Sequence, residues 1–191
     1  MSTSTWWGSP TGSNDRANAS TDGGRPVSRR LLVLTAASLR SGLVPIDPVT
    51  VDIVQLDPDL PLPSYAHDGD AGLDLYAREL ATIPAGGHRF LMPTGISIAI
   101  PLGFCGLVMP RSGLALKHGI SIVNSPGTID SDFRGEVGIV LINHGQEPFT
   151  IEPLSRIAQI VIARVEQVAI EEAESLTETS RGAGGYGSTG R

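Results

Sequence analysis

Short runs of apolar residues, separated by turn residues, characterise the chain from Val51 onward. In residues 94–101 the isoleucines Ile96, Ile98 and Ile100 alternate with smaller or polar residues. Because successive side chains of a strand point to opposite faces, this alternation predicts a strand with one buried face. Glycine and proline punctuate the intervals between such runs, as expected for short strands joined by turns.

Two later runs, residues 136–143 and 156–165, are nearly continuously apolar. Periodicity alone leaves the first as either a strand buried on both faces or a short buried helix. Its length and its β-branched residues favour the strand. No period of 20–50 residues recurs, so a repeat array is not expected. The pattern as a whole predicts one all-β sandwich or barrel.

Residues 1–48 lack this pattern. They are rich in Ser, Thr, Gly and Asn, and we predict a disordered extension. Two arginines followed by a short apolar run resemble a twin-arginine export signal, but Arg40 interrupts the run. A short helix, or a start site placed too far upstream, explains the segment equally well. We therefore assign no export and expect a cytoplasmic protein.

Composition narrows the function classes. The formal net charge is −6, which argues against non-specific nucleic-acid binding, and no apolar run is long enough to span a membrane. The single cysteine, Cys105, excludes a disulfide framework within one chain, and we expect it to be a small buried residue. All the basic residues except Lys117 are arginines, whose planar fork suits phosphate oxygens.

Five polar clusters lie between the apolar runs. In the first, "AGLDLYA", Asp74 faces away from the core if the segment is a strand, and alone it would be interpreted as an ordinary exposed aspartate. In the second, "PRSGLALKHG", Arg111, Ser112 and the Gly113 amide are adjacent donors suited to phosphate oxygens. A polar turn in which Ser112 caps a short helix is an alternative compatible with that interpretation.

The other three clusters add an amide, carboxylates and a glycine-rich end. "NSPGTIDSDFRGE" begins with Asn124, which can bond a base edge, and contains Asp130, which could hold a water; a β-hairpin explains only part of it. "RIAQ" puts Arg156 and Gln159 at the entry of a strand. Residues 181–190 are not a Walker loop, and by composition alone they would be a frayed tail.

In this order the clusters resemble the five motifs of the trimeric dUTPase family, over roughly residues 51–190. The resemblance implies a jelly-roll-like β-clip that assembles as a homotrimer. Residues 49–180 would form the β domain, and residues 181–191 a mobile arm that closes over the active site. It also implies hydrolysis of dUTP to dUMP and pyrophosphate, with Mg²⁺ as cofactor and with no nucleic-acid or membrane partner.

The resemblance further implies roles for single residues. Asp130 would be the general base that activates the attacking water, and Asp74 would reach the Mg²⁺ shell through water. Asn124 would read the uracil edge. The remaining implied substrate residues are Arg111, Ser112, Gly113, Gln159 and Arg181 at the phosphates, Thr128, Ile129 and Phe133 at the sugar, and Tyr186 with Gly187 in the arm.

Three positions depart from the family pattern. Phe133 stands where a tyrosine is common, so its ring can still exclude a ribose but a hydroxyl contact is lost. Tyr186 stands where a phenylalanine usually covers the uracil. Leu154 and Ser155 replace the usual Gly-Asp before Arg156, a change that bears on the geometry of that turn and not on the reaction.

Two other functions are compatible with parts of the pattern. A dCTP deaminase of the same fold needs a glutamate base on the strand after the third cluster, where only Glu136 precedes an apolar run. A non-catalytic binding protein would be expected to have lost Asp130 or the terminal motif, and both are present. The hydrolase is therefore the preferred hypothesis.

The first prediction concerns the extension. Because residues 1–48 lack core-forming periodicity, a chain that begins at Pro48 should fold, trimerise and turn over dUTP as the full chain does. Thermal unfolding, sedimentation and pyrophosphate release on both chains check this. A large loss of stability or of the trimer would mean that the "RRLLVLTAASL" segment packs on the core.

Overall fold

Hydrogen bonds between short strands organise the chain. The structure is a computed structural model that describes residues 48–185; the expectations for residues 1–47, Tyr186 and Gly187 lie outside the described residues. One short helix, α1 (Ser112–His118), lies in this range. The strands are β1 (Asp52–Gln55), β2 (Leu73–Tyr76), β3 (Ala81–Ile83), β4 (His88–Ala99), β5 (Phe104–Pro110), β6 (Ile120–Ile122), β7 (Gly127–Ile129), β8 (Glu136–Asn143), β9 (Phe149–Ile151) and β10 (Arg156–Arg164).

All the strand pairs in the described residues are antiparallel. One four-stranded sheet has the order β1-β4-β8-β6, a second has the order β2-β10-β5-β7, and β3 pairs with β9. Each short apolar run therefore finds a partner far along the chain. The prediction of an all-β fold is confirmed.

The hydrophobic core joins the two larger sheets. Ile96 and Ile98 of β4, with Ile100 just after it, pack in one cluster with Ile160 of β10, and each is at most 2% exposed. The predicted alternation is thus confirmed. Cys105 on β5 is buried, as expected. Burial of such aliphatic side chains contributes about 1.5–3 kcal/mol each and is the main stabilising term.

Strand β8 differs in one respect from the prediction. Val137, Ile139 and Leu141 are buried, whereas Gly138 is exposed and Val140 is only partly covered. The strand itself is confirmed, but the expected burial of both faces is wrong for the described chain, because only one face of β8 meets the core.

The connection between β6 and β7 is not the hairpin that the third cluster suggested. Strand β6 pairs with β8 in one sheet, and β7 pairs with β5 in the other. The N–H of Val123 donates to the carbonyl of Val140 at 2.9 Å and so extends the first sheet before the chain turns away. Residues 123–126 therefore cross between sheets instead of closing a two-stranded ribbon.

The turn before β10 answers the question raised by Leu154. Its φ is +67°, and it is the one non-glycine residue with a positive φ in residues 48–185. This conformation lets the Leu154 N–H donate to the Ala77 carbonyl at 2.9 Å, while the Ala77 N–H donates to the Ser155 carbonyl at 2.8 Å. The turn thus has a left-handed backbone conformation that suits glycine, and Leu154 adopts it at a steric cost.

A substitution at this turn should stabilise the protein. Leucine in the left-handed region costs roughly 1–2 kcal/mol. Replacement by glycine removes this cost but itself destabilises the fold by about 0.5–1 kcal/mol, because glycine gives the unfolded chain more conformational entropy. We expect Leu154→Gly to raise the free energy of unfolding by about 0.5–1 kcal/mol, which corresponds to a Tm increase of about 1–4 °C. Urea and thermal unfolding measure both quantities.

Leu102 provides the matched control. It is 82% exposed, against 53% for Leu154, and its φ is not positive. Leu102→Gly should therefore lower stability, because only the entropic term applies. Equal destabilisation by the two glycines would show that Leu154 is not strained.

Candidate active site

Three of the five polar clusters meet at one cleft, which we call the arginine cleft. Strand β10 lies between β2 and β5, so that Gln159 is opposite Asp74 on one side and Met109 on the other. This register brings the ends of the three strands to one edge. The cleft is lined by Ala66, His67, Asp70, Ala71, Gly72, Asp74, Arg111, Ser112, Gly113, Arg156 and Gln159.

A carboxylate between two guanidinium groups forms the floor of the arginine cleft. Asp74 Oδ1 is 3.3 Å from Arg111 Nε, and Asp74 Oδ2 is 3.0 Å from Arg156 Nη1. Asp74 is only 8% exposed, so the interpretation of an ordinary exposed aspartate is wrong. A buried charge is tolerated because both of its oxygens have charged partners. The cluster carries two positive charges and one negative, which favours an anion in the cleft.

Gln159 owes its position to Gly72, the residue just before the neighbouring strand β2. A Cβ added at Gly72 would lie 2.5 Å from Gln159 Oε1 and 3.1 Å from Gln159 Cβ. The absent side chain leaves room for the glutamine amide, whose Nε2 donates to the Pro110 carbonyl at 3.3 Å. The amide is thereby held beside the residues that precede Arg111.

The helix after β5 begins differently from the prediction. Arg111, in an extended conformation, is the N-cap residue, and no side-chain hydrogen bond caps α1. The expected capping role of Ser112 is therefore wrong, because Ser112 is already the first helical residue. Ser112 and Gly113 are exposed at the rim of the arginine cleft, where the hydroxyl and the amide can meet a ligand.

The third cluster lines a second, more apolar cleft, which we call the Asp130 cleft. It contains all five residues predicted from that cluster, Asn124, Thr128, Ile129, Asp130 and Phe133. Its walls are completed by Val108, Ile122, Gly127, Val137, Gly138, Ile139 and Val140.

Two glycines shape this cleft. A Cβ at Gly127 would lie 3.3 Å from the Asn124 amide nitrogen. A Cβ at Gly135 would lie 2.8 Å from Phe133 Cζ, so the phenyl ring lies directly over that glycine. The two side chains that the sequence assigned to base and sugar are thus packed against backbone.

The two clefts share no lining residue. The chain by itself therefore does not bring Asp130 to the arginine cleft. Arg181 lies in neither cleft; it is exposed, beyond the last strand, and its Nε donates to the Gly184 carbonyl at 2.9 Å. Tyr186 and Gly187 fall beyond the described residues.

The structure adds residues that were not assigned to the site. The fourth cluster contains Arg156 without an implied role, and none of the five clusters contains His67 or Asp70. The Asp70 carboxylate accepts the His67 N–H at 2.9 Å, which shapes the loop before β2. The run "HDGDAG" was a signal for such a loop, but nothing local in the sequence places it beside the arginines.

Comparison with known proteins decides the family. The family model for dUTPase matches residues 59–190 of the chain. The chain belongs to the dUTPase family. A deoxyuridine 5'-triphosphate nucleotidohydrolase of Corynebacterium glutamicum is 57% identical over 146 residues, which cover 76% of this chain and 97% of the relative.

Solved dUTPases have the same fold. The dUTPase of Staphylococcus bacteriophage 80alpha, solved with dUPNHPP, is 25% identical with a TM-score of 0.69, covering 74% of this chain and 99% of that one. A mutant dUTPase from phage phi11 of S. aureus, which coordinates a structural Mg(II) ion, is 21% identical with a TM-score of 0.62, covering 68% and 99%. The predicted β-clip of the dUTPase family is confirmed.

Glu136, the residue on which a deaminase would depend, has a different task in this dUTPase-family chain. Its carboxylate is 3.3 Å from Arg78 Nη1 and accepts the Gly95 N–H at 2.8 Å. The pKa of Arg78 is raised, chiefly by its hydrogen bond to Asp57 and further by Glu136. Glu136 lines neither cleft and ties the start of β8 to β4, so the deaminase alternative is not favoured.

No helix among residues 48–185 is long and apolar enough to cross a membrane. The same residues contain no group of three or more His, Cys, Asp or Glu side chains that could hold a metal ion.

The packing of Gly72 on Gln159 yields a prediction. Gly72→Ala should displace the Gln159 amide and lower turnover of dUTP roughly 10-fold to 100-fold, because small displacements of positioning groups are costly. The Tm should change little, since the strand itself can remain paired, and Gly72→Ser should be at least as harmful. Unchanged turnover in Gly72→Ala would show that Gln159 does not need this position.

Proposed function

We propose that this chain hydrolyses dUTP to dUMP and pyrophosphate, which lowers dUTP and supplies dUMP for thymidine nucleotide synthesis. The supporting observation is the pair of clefts in a chain of the dUTPase family. One cleft gathers two arginines, a serine and a glutamine for phosphates; the other holds an aspartate beside an amide and an apolar wall.

Asp130 is the general base of the proposed reaction. It takes a proton from a water whose oxygen attacks the α-phosphorus of dUTP, and the bond from that phosphorus to the bridging oxygen breaks. Pyrophosphate leaves and dUMP remains. A positioned base of this kind contributes about 10²–10⁴-fold. Asp130 is exposed at its cleft, so water can reach the carboxylate.

Fixed positive charge in the arginine cleft stabilises the charge that moves to the leaving group. Arg111 provides a charged donor beside the Ser112 hydroxyl, the Gly113 amide and the Gln159 amide. Donors fixed in advance need no reorganisation during phosphoryl transfer. This local charge also accounts for the binding of a polyanion by a chain with a formal net charge of −6.

The Asp130 cleft selects the nucleoside. Asn124 reads the uracil edge, Thr128 and Ile129 line the sugar, and the Phe133 ring excludes a 2′-hydroxyl by its bulk. A site that hydrogen-bonds its substrate can reject analogues by about 10⁴-fold, much more than a methyl-sized slot alone.

The working enzyme is a homotrimer. Because the two clefts share no residue, an Asp130 cleft and an arginine cleft from different copies form one site in this proposal. Residues 49–180 are the β domain and residues 181–191 an arm that closes over the nucleotide, bringing Arg181, Tyr186 and Gly187. Residues 1–48 are an extension, and the protein is cytoplasmic.

Mg²⁺ enters with the triphosphate in this proposal. The described residues offer no set of three carboxylates or other ligand side chains, and this fits a hard cation that keeps waters and binds mainly through phosphate oxygens. Asp74, at the floor of the arginine cleft, would contact the hydration shell of the ion, and the ion would supply positive charge that offsets the charge of the phosphates.

A substrate panel tests the proposed reaction. Pyrophosphate release from dUTP should exceed that from dTTP, dCTP and UTP by orders of magnitude, and it should require a divalent metal ion. Comparable rates with dUTP and dTTP would contradict the reading of uracil by Asn124, whereas conversion of dCTP to a uracil nucleotide would favour the deaminase.

The role of Asp130 as general base can be tested separately. Asp130→Asn keeps the shape of the side chain but removes the base, so turnover should fall at least about 100-fold while affinity for dUPNHPP persists. Asp132→Asn, which removes a nearby carboxylate that lines neither cleft, is the matched control. If Asp130→Asn retains most of its turnover, the water is activated elsewhere.

A further inference from the structure

The charge arrangement at Asp74 contains one more arginine than is needed for neutrality. Asp74 is nearly buried, and one guanidinium would balance its charge. Instead each carboxylate oxygen has its own arginine, Arg111 at Oδ1 and Arg156 at Oδ2. The Arg111 Nη1 also donates to the Arg156 backbone carbonyl at 3.1 Å. The two arginines are therefore linked twice, once through the carboxylate and once directly.

The division of the carboxylate between two partners has a consequence for Arg111. A carboxylate with a single guanidinium neighbour tends to take both prongs of its fork. Arg156 occupies Oδ2, so Asp74 binds Arg111 through Nε alone, and the rest of the Arg111 fork is not paired with the carboxylate. Without Arg156, Asp74 and Arg111 would form a neutral pair and the excess positive charge in the cleft would fall.

We propose that Arg156 is a positioning residue for phosphate binding: it holds one oxygen of Asp74 so that Asp74 takes only Nε of Arg111 and leaves Nη2 of Arg111 to the polyphosphate. The inference rests on the proposed function and extends it to a residue of the fourth cluster for which neither the sequence nor the family resemblance supplied a role. It concerns binding of the distal phosphates and not recognition of the base, because Arg156 does not line the Asp130 cleft.

Another arginine cluster in the same chain provides a matched control. Arg78 lies between two carboxylates, 3.1 Å from Asp57 and 3.3 Å from Glu136, and it lines neither cleft. The ion-pair distances of Arg78 are similar to the distance between Arg156 and Asp74, but Arg78 lies outside both clefts. If an arginine ion pair matters only for folding, replacement of Arg78 and of Arg156 should have the same kinds of effect.

The experiment compares nucleotides that differ in phosphate number, with dUPNHPP, which has an imido group in place of one bridging oxygen, as the triphosphate. The affinities of dUMP, dUDP and dUPNHPP are measured with Mg²⁺ by calorimetry for the full-length wild type and for Arg156→Gln, Arg156→Lys, Arg78→Gln and Arg78→Lys. We expect Arg156→Gln to weaken dUPNHPP about tenfold to a hundredfold, the range for a lost charged contact, and dUMP less than about threefold. Arg156→Lys should recover part of the loss, and both Arg78 variants should bind as the wild type does.

A double-mutant cycle separates positioning from direct contact. If Arg156 acts through Asp74, Arg156→Gln should have little further effect on dUPNHPP affinity in an Asp74→Asn background. Additive losses would show that Arg156 contacts the phosphates independently and would overturn the positioning role. An equal loss for dUMP and dUPNHPP, or no loss, would overturn it as well.

The affinity of the wild type for dUPNHPP separates a failure of this inference from a failure of the proposed function on which it rests. A wild type that does not bind dUPNHPP would contradict the proposed function. Normal wild-type binding with unaltered binding by Arg156→Gln would contradict only the role of Arg156. If Arg156→Gln fails to fold, Arg156→Lys still decides the question, because the shorter lysine should hold Asp74 Oδ2 less well, so that full wild-type affinity for dUPNHPP in that variant contradicts the role of Arg156.

Discussion

The register of β10 is the constraint on which the arginine cleft depends. This strand pairs with β2 on one side and β5 on the other, and it sets Gln159 opposite Asp74 and Met109. A shift by one residue would turn Gln159 toward the core and its neighbours outward, because strand side chains alternate between faces. Ala158 and Ile160, both buried, anchor the correct register. Apolar packing on one face of β10 thus fixes polar chemistry on the other.

Much of the fold and the inventory of the site could be predicted from the sequence because the signals are local. The alternation of Ile96, Ile98 and Ile100 reports one strand face, and adjacent donors such as Arg111 and Ser112 lie together whatever the remainder of the chain does. The placement of Asp74 could not be predicted in this way. Its partner Arg156 is 82 residues away along the chain, and only the pairing of β2 with β10 makes them neighbours.

The predicted hairpin between β6 and β7 was wrong for the same reason, because strand pairing depends on distant parts of the chain. The hairpin was inferred from Pro126 and Gly127, which do predict a turn, but a turn signal does not say whether the flanking strands pair with each other. Here β6 pairs with β8, and β7 pairs with β5. The turn at Leu154 illustrates the reverse case, since tertiary hydrogen bonds to Ala77 impose a backbone conformation that the residue itself disfavours.

Cys105 gives the molecule an experimental advantage. It is the only cysteine in the sequence, and it is buried on β5 opposite Ala163 of β10. Thiol reagents attack an accessible thiolate, so the native protein offers them no ready target. With a substitution at an exposed position near the carboxyl end, for instance Ser180→Cys, the new thiol would therefore be the only one that a fluorophore or a spin label modifies readily. The core residue can stay in place, and the label would report on the segment that follows the last strand.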